Sequence, residues 1–267
     1  KGLKRKLDVS IYAKPEFDYL QMEMLRNGLI RELDVSIYAK PEFTWQQMSE
    51  ILLGLVLNLD VSLYTKPEFS FSFMKEIKKA LLSGFDLYNI ELASFDEEQF
   101  RYICYGLQDE LDVSWYAKPE YAWQKMSEIR WGLEGKLNVS WYAKPEFSTY
   151  QMAQIREGLE DGLDVSIYAK PEYEWQQMNE IKEGLMGNID VSLYTITEFD
   201  FNQMCQIRLG LCESLDISIY ARPEFDGFQM KQIRLGLENQ VDVVPYLNPG
   251  ISWGEMKQIR LELQGNK

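Results

Sequence analysis

The feature that most constrains this chain is a 26-residue period that runs through it without an insertion or deletion. The consensus unit reads Leu-Asp-Val-Ser-Ile-Tyr-Ala-Lys-Pro-Glu-Phe and continues with Gln-Met, Ile-Arg and Gly-Leu at fixed spacing. A fixed period of this length predicts a solenoid, in which each unit buries its apolar face against its neighbours. The ten units begin at Leu7, Leu33, Leu59, Phe85, Leu111, Leu137, Leu163, Ile189, Leu215 and Val241.

The first seven residues of a unit predict a short β-strand, because apolar and polar residues alternate in residues 163–169 and their equivalents. The proline that follows removes a ladder donor and ends the strand. Strand and helix in every unit predict a right-handed β/α solenoid, since parallel crossovers nearly always take that hand. Strands stack about 4.8 Å apart and helices about 8–10 Å apart. We therefore expect an α/β horseshoe with a parallel sheet on its concave side and helices on its convex side.

A helix is predicted after the proline turn, because residues that favour the N-cap recur at one position of the unit. A glutamine three residues later, such as Gln21, completes a capping box. Met126, Ile129 and Leu133 illustrate the apolar stripe that recurs in the helix and is expected to cover the sheet. The predicted N-caps are Asp18, Thr44, Ser70, Asp96, Ser148, Asp200, Asp226 and Ser252.

Small residues recur near the end of the predicted helix. A glycine such as Gly28 costs roughly 1 kcal/mol inside a helix relative to alanine. Its repetition indicates that neighbouring helices pack closely there. Gly162 and Asn188, at the unit end, are expected to form left-handed C-caps.

The architecture expected from these elements is similar to that of leucine-rich-repeat proteins, although their Leu-x-x-Leu-x-Leu-x-x-Asn signature is absent. The motif itself, LDVSIYAKPEF followed by QM..IR.GL, resembles tandem repeats of large multi-domain proteins of bacterial conjugative elements and phages. The resemblance covers essentially the whole chain and implies no particular activity.

The phase of the repeat bears on domain organisation. Residues 1–6 fit the last six positions of a unit, so we interpret them as the remnant of a preceding, truncated repeat. Residues 7–266 are predicted to form a single solenoid domain. The chain would then be part of a longer protein, and open repeat ends would favour end-to-end self-association.

Charge and composition narrow the range of partners. The net charge of −14 repels nucleic-acid phosphates and anionic membranes, which favours protein partners of basic or neutral character. No apolar run approaches the ~20 residues that span a bilayer, so we predict no membrane association. The three cysteines do not form a disulfide framework, which favours a reducing, cytoplasmic compartment.

Catalysis is disfavoured by what the sequence lacks. It contains no histidine, which excludes Ser-His and Cys-His arrangements and histidine metal sites. The glycines follow the repeat rather than a phosphate-binding fingerprint. We predict no enzyme activity, no cofactor and no metal.

An aspartate recurs at the second position of the units from Asp8 to Asp242, with Asn138 as the exception. We expect it to accept a hydrogen bond from the neighbouring unit's backbone rather than to bind calcium.

Two sets of residues are candidates for partner binding. If the aliphatic residues of the strand point inward, Asp, Ser and Tyr form polar ladders on the concave face, and Tyr with Ser resembles the composition of a paratope. The alternatives are that the tyrosines only cover the sheet, or that a bulge buries them and exposes the preceding position, where Trp115 and Trp141 stand. The candidate ladder contains Tyr12, Tyr38, Tyr64, Tyr116, Tyr142, Tyr168, Tyr194 and Tyr220, with Tyr246 at its end.

Unit 4 departs most from the pattern, because it loses Ser, Tyr and Lys-Pro-Glu together. Sequence drift is one interpretation. The other is a specialised binding spot around Tyr88, Asn89 and Glu91 with the adjacent Trp115. Unit 10 departs as a terminal edge would, since Pro245 blunts an exposed strand.

These observations lead to three functional hypotheses. The first is a non-enzymatic scaffold that binds a protein partner on its concave strand face. The second is an acidic mimic of nucleic acid that inhibits a host DNA-binding enzyme. The third is a passive spacer within a larger protein.

Overall fold

The computed structural model describes residues 7–196 and 198–265, whose regular secondary structure is entirely helical, with no β-strand among them. The predicted α/β horseshoe, its parallel sheet and its likeness to leucine-rich repeats are therefore wrong. The period is that of an α-helical, solenoid-like repeat. The predicted repeat remnant at residues 1–6 and the last predicted solenoid residue, 266, lie outside the described residues.

Each unit contributes one short 3₁₀ turn and one α-helix. The helices are α1 (Tyr19–Ile30), α2 (Trp45–Val56), α3 (Phe71–Leu82), α4 (Glu97–Gln108), α5 (Trp123–Glu134), α6 (Thr149–Glu160), α7 (Trp175–Met186), α8 (Phe201–Cys212), α9 (Gly227–Glu238) and α10 (Trp253–Gly265). The 3₁₀ turns are Val9–Ile11, Val35–Ile37, Val61–Leu63, Leu92–Ser94, Val113–Trp115, Val139–Trp141, Val165–Ile167, Val191–Leu193, Ile217–Ile219 and Val244–Tyr246.

The chain divides into two compact bodies, one ending at Met126 and the other beginning at Ser127. In the first body α1, α2, α3 and α4 pack against one another in chain order. In the second body α6 to α10 do the same. Within each body, these helices thus pack against those of the neighbouring units, as the period predicts.

Local hydrogen bonds explain why the predicted strand is a turn. Asp164 Oδ1 accepts the Ser166 amide at 3.1 Å and the Ser166 hydroxyl at 2.6 Å. The Tyr168 amide then donates to the Val165 carbonyl at 3.0 Å. Aspartate side chains that bond to the backbone two residues on compete with sheet ladders. Val165 and Tyr168, three residues apart, are the buried pair, which is the spacing of a 3₁₀ helix.

The repeated glycine accommodates the tyrosine of the next unit. Tyr168 is fully buried, and its hydroxyl donates to the Gln154 carbonyl at 3.2 Å on the preceding helix. It lies so close to Gly158 that a Cβ there would be 1.8 Å from Tyr168 Oη. The prediction that neighbouring helices pack closely at this position is therefore wrong, because the close partner is a phenol. The pairs are Gly28–Tyr38, Gly54–Tyr64, Gly106–Tyr116, Gly132–Tyr142, Gly158–Tyr168, Gly184–Tyr194, Gly210–Tyr220 and Gly236–Tyr246.

The helix caps confirm the sequence pattern. Ser148 Oγ accepts the Gln151 amide at 3.2 Å, and Gln151 Oε1 accepts the Ser148 amide at 2.7 Å. The last residue of a unit takes the left-handed conformation, with φ of 71° at Gly162 and 53° at Asn188. The caps and the helix-to-turn junctions therefore follow the predicted chemistry.

Polar side chains also join successive helices. Glu180 Oε2 accepts the Arg208 Nε–H at 2.8 Å, and Gln206 Oε1 accepts the Arg234 Nε–H at 3.0 Å. These bonds join residues 28 positions apart. They restrain neighbouring helices relative to one another.

The buried tyrosines predict a cooperative loss of structure at high pH. Burial raises the pKa of Tyr168 far above its usual value, and burial raises the pKa of Tyr246 to about 12. A group whose pKa is raised on folding stabilises the fold fully below the unfolded-state pKa of about 10, and this stabilisation is lost as the pH rises further. We expect helical circular dichroism to collapse above pH 10 together with the appearance of phenolate absorbance. Ionisation of all tyrosines near pH 10 with the helices intact would contradict this burial.

Candidate functional site

The predicted tyrosine ladder is not available to a partner. Tyr12 is 9% exposed, and the other tyrosines of the ladder are 0% exposed. Most of their hydroxyls donate to a carbonyl of the preceding helix, as Tyr168 does. The expectation of an exposed tyrosine face is therefore wrong at Tyr12, Tyr38, Tyr64, Tyr116, Tyr142, Tyr168, Tyr194 and Tyr220.

The alternative expectation, with tyrosine inside and the preceding residue outside, agrees better with the structure, although no strand is involved. Trp115 and Trp141 occupy that preceding position and are each half-buried. Trp115 belongs to the first body and Trp141 to the second.

The repeated aspartates are exposed and bond within their own unit rather than to the neighbouring unit, which corrects the sequence-based expectation. The hydroxyl and then the amide of Ser36 lower the pKa of Asp34, and Ser10 does the same for Asp8. Asn138 makes the equivalent bonds to Ser140. Among the described residues no group of three or more potential ligands suits a metal ion.

Unit 4 has its own local structure in the first body. Its 3₁₀ turn lies at Leu92–Ser94, five residues later than in most units. Ile90 stands where other units have tyrosine, and Ala80 stands where the preceding helix otherwise has glycine. The two substitutions are complementary: because Ile90 has no phenol ring, the Cβ of Ala80 on the preceding helix has room.

Tyr88 of unit 4 occupies the unit position of the exposed serines Ser10 and Ser36. This side chain is 66% exposed, and its hydroxyl donates to Asp60 Oδ2 at 2.6 Å. That hydrogen bond raises the pKa of Tyr88. The bond ties unit 4 to the aspartate of unit 3.

A groove of about 490 Å³ lies between unit 4 and unit 5, within the first body. Asn89 and Glu91 of the predicted binding spot line it, whereas Tyr88 and Trp115 do not. Its lining contains carboxylates and apolar side chains but no cation from the described residues. The lining residues are Asp86, Asn89, Ile90, Glu91, Phe95, Leu107, Asp112, Val113, Ser114, Ala117 and Pro119.

The same register positions form a groove of about 640 Å³ between units 1 and 2. There Leu29, Asp34 and Ser36 take the places of Leu107, Asp112 and Ser114. Lys14 also lines that groove. The groove between units 4 and 5 has three carboxylates and no cation in its described lining.

Exposed aromatic side chains form a further feature, at the first two positions of the helices. Tyr150 and Trp175 lie 5.6 Å apart between ring centroids, and Phe228 and Trp253 lie 5.8 Å apart. The sequence analysis missed this set, although its signal is an aromatic residue directly after the cap. We call the set the aromatic row: Tyr19, Trp45, Phe71 and Trp123 in the first body, and Tyr150, Trp175, Phe228 and Trp253 in the second.

Comparison with protein-family models, curated proteins and solved structures gives no match to the chain.

Across residues 7–196 and 198–265, every helix is too short or too polar to cross a membrane. Cys104, Cys205 and Cys212 are all free, and burial raises the pKa of the Cys104 thiol to about 12. The geometry of the exposed residues is therefore what bears on function.

Proposed function

We propose that the chain is a non-enzymatic scaffold that binds a protein through its aromatic row. The observation that carries this proposal is the exposure of the rings: Tyr150 is 67%, Phe228 is 58% and Trp253 is 47% exposed. Exposed apolar groups gathered on one set of positions mark interaction surfaces. The strand face inferred from the sequence has no part in this proposal.

Aromatic residues are suited to such a surface. Tyrosine and tryptophan dominate the binding energy of protein interfaces, because they bury a large area at a low cost in side-chain entropy. In the aromatic row, neighbouring units present rings side by side, so an extended partner could contact several in succession. The net charge of −14 favours a partner with basic residues around its apolar contact. The free cysteines suit a reducing compartment, and we propose a cytoplasmic location on that basis.

The test replaces four rings of the second body together, at Tyr150, Trp175, Phe228 and Trp253, with serine. We expect proteins captured from the native cell by the unaltered chain to be lost, with at least a tenfold drop in affinity for the main captured protein, since each buried ring contributes about 1 kcal/mol or more. Mass spectrometry identifies the captured proteins and a binding isotherm measures the affinity. Helical circular dichroism should remain unchanged.

The matched control replaces Met186 and Leu261 of the second body with serine. These side chains are 51% and 49% exposed but lie away from the helix starts, so capture should persist. Capture that survives loss of the four rings would overturn the proposal. Capture of a DNA-binding enzyme that DNA and salt abolish would instead favour the nucleic-acid mimic, for which the row of exposed aspartates is the supporting observation.

A further inference from the structure

We propose that the groove between units 4 and 5 binds a lysine or arginine side chain of the protein partner. This inference rests on the proposed scaffold function and adds the chemistry of one contact. It concerns residues of the first body only, and it is separate from the aromatic row.

The first argument comes from the aromatic residue before each helix cap. In most units the cation of the Lys-Pro-Glu or Arg-Pro-Glu turn lies over this ring: Lys118 Nζ is 5.4 Å from the Tyr121 centroid. Such cation–π contacts are favourable, more so where water is partly excluded. The other pairs are Lys40–Phe43, Lys66–Phe69, Lys144–Phe147, Lys170–Tyr173 and Arg222–Phe225.

Unit 4 has the ring but not the cation. Phe95 is the equivalent ring and lines the groove, whereas the lysine position is taken by the buried Leu92. No cation of the described chain lies over Phe95. A basic side chain from outside could therefore make the contact that other units make internally.

The second argument is charge. Asp86, Glu91 and Asp112 line the groove, and none of them has an ion pair with a described residue. The equivalent groove between units 1 and 2 has one carboxylate, Asp34, and one cation, Lys14. The groove between units 4 and 5 thus has three carboxylates and no lining cation, whereas the groove between units 1 and 2 has one of each.

The third argument is the apolar wall. Ile90, Leu107, Val113 and Pro119 line the groove beside the carboxylates. Lysine and arginine bury an aliphatic stem along apolar surface while the charged head reaches polar groups. A metal ion would not use these walls, and the carboxylates do not converge into a group suited to a metal.

The experiment uses the full chain and three acetylated, amidated peptides, Gly-Leu-X-Leu-Gly, in which X is arginine, lysine or norleucine. Norleucine keeps the stem of lysine and lacks its charge. We expect the arginine and lysine peptides to shift the NMR signals of the Asn89 side-chain amide and the Ser114 backbone. The norleucine peptide should bind about tenfold more weakly.

Two variants and a matched control locate the site. Glu91→Lys should weaken binding of the arginine peptide about fivefold or more, and Asp112→Asn should weaken it by a smaller factor. Asparagine at Asp112 can keep the turn, as Asn138 does in unit 6. Glu42→Lys makes the same change in net charge at an exposed residue outside both grooves, and its affinity should change less than twofold.

Equal binding of the norleucine peptide, shifts confined to other residues, or equal weakening by Glu91→Lys and Glu42→Lys would each overturn the inference. The peptides bind without the natural partner, so this result is independent of the capture experiment. Lost peptide binding with retained dependence of capture on the aromatic row would leave the scaffold function standing and remove only the cation site.

Discussion

Replacing Gly158 with alanine should destabilise the second body by about 3 kcal/mol, although alanine is the better helix former by about 1 kcal/mol. The added Cβ would lie 1.8 Å from Tyr168 Oη and 3.1 Å from its Cζ. Because the phenol is fully buried and bonded to the Gln154 carbonyl, it cannot move aside without losing both contacts. Urea unfolding followed by circular dichroism measures the change.

A second substitution tests the cause. Tyr168→Phe alone should cost about 1 kcal/mol, since it removes one buried hydrogen bond. Combined with Gly158→Ala, it removes the closest clashing atom and should recover about 2 kcal/mol, a coupling that a double-mutant cycle measures. A comparable pair of substitutions occurs naturally between units 3 and 4, where Ala80 replaces the glycine and Ile90 replaces the tyrosine.

Gly187→Ala is the matched control, at the C-cap of α7. Its Cβ would meet its nearest atom, Ile189 Cδ1, at 3.4 Å, which is ordinary van der Waals contact. Its φ of −78° suits alanine, so the free energy of unfolding should change by less than about 0.5 kcal/mol. If the two glycine variants were equally stable, the tyrosine would not be held as the structure has it.

The glycine also shows what the sequence could and could not reveal. The period, the N-caps and the left-handed unit ends were predictable, because they depend on residues close together in sequence. The partner of Gly158 is in the next unit, at Tyr168. The repeated sequence alone does not show whether a glycine contacts the tyrosine of its own unit or that of the next unit, since most units contain both residues. Only the paired exceptions, Ala80 and Ile90, indicate the register.

The error in fold class has a local cause. In residues 163–169 aliphatic residues alternate with Asp, Ser and Tyr, which is typical of a strand, whereas the residues that the turn buries, Val165 and Tyr168, are three apart. A segment of seven residues is too short for the sequence alone to distinguish the two periods. Asp164 decides the outcome, since its side chain captures the Ser166 amide that a sheet would need. In the turn, Tyr168 is buried in the core, whereas in a strand it would have faced outward.

The candidate site was partly predictable for a related reason. Unit 4 was distinguishable by its lost residues, and Asn89 and Glu91 do line a groove. The contribution of Phe95 was not predictable, because the relation between the turn lysine and the ring three residues later requires the turn geometry. Asp112 was hidden by its regularity, since every unit but one has the same aspartate.

Replacing Gln151 with glutamate should also destabilise the second body by about 3 kcal/mol at neutral pH. Gln151 Oε1 caps its own helix, but its Nε2 donates to the carbonyls of Pro171 at 3.2 Å and Tyr173 at 2.6 Å in the next unit. The side chain is 8% exposed. The substitution keeps the cap acceptor, removes the donor and places a carboxylate against two carbonyls, which leaves buried polar groups unpaired.

Glu255→Gln is the matched control, because unit 10 already has glutamate at this position. Glu255 accepts the Ser252 amide at 3.1 Å and is exposed, so this substitution should change the free energy of unfolding by less than about 0.5 kcal/mol. Thermal and urea unfolding of both variants compare the two sites directly. A small effect of Gln151→Glu would mean that the glutamine only caps its helix. A large loss of stability for Gln151→Glu, but not for Glu255→Gln, would show that this side-chain amide both caps its own helix and stabilises the packing of the next unit's turn against it.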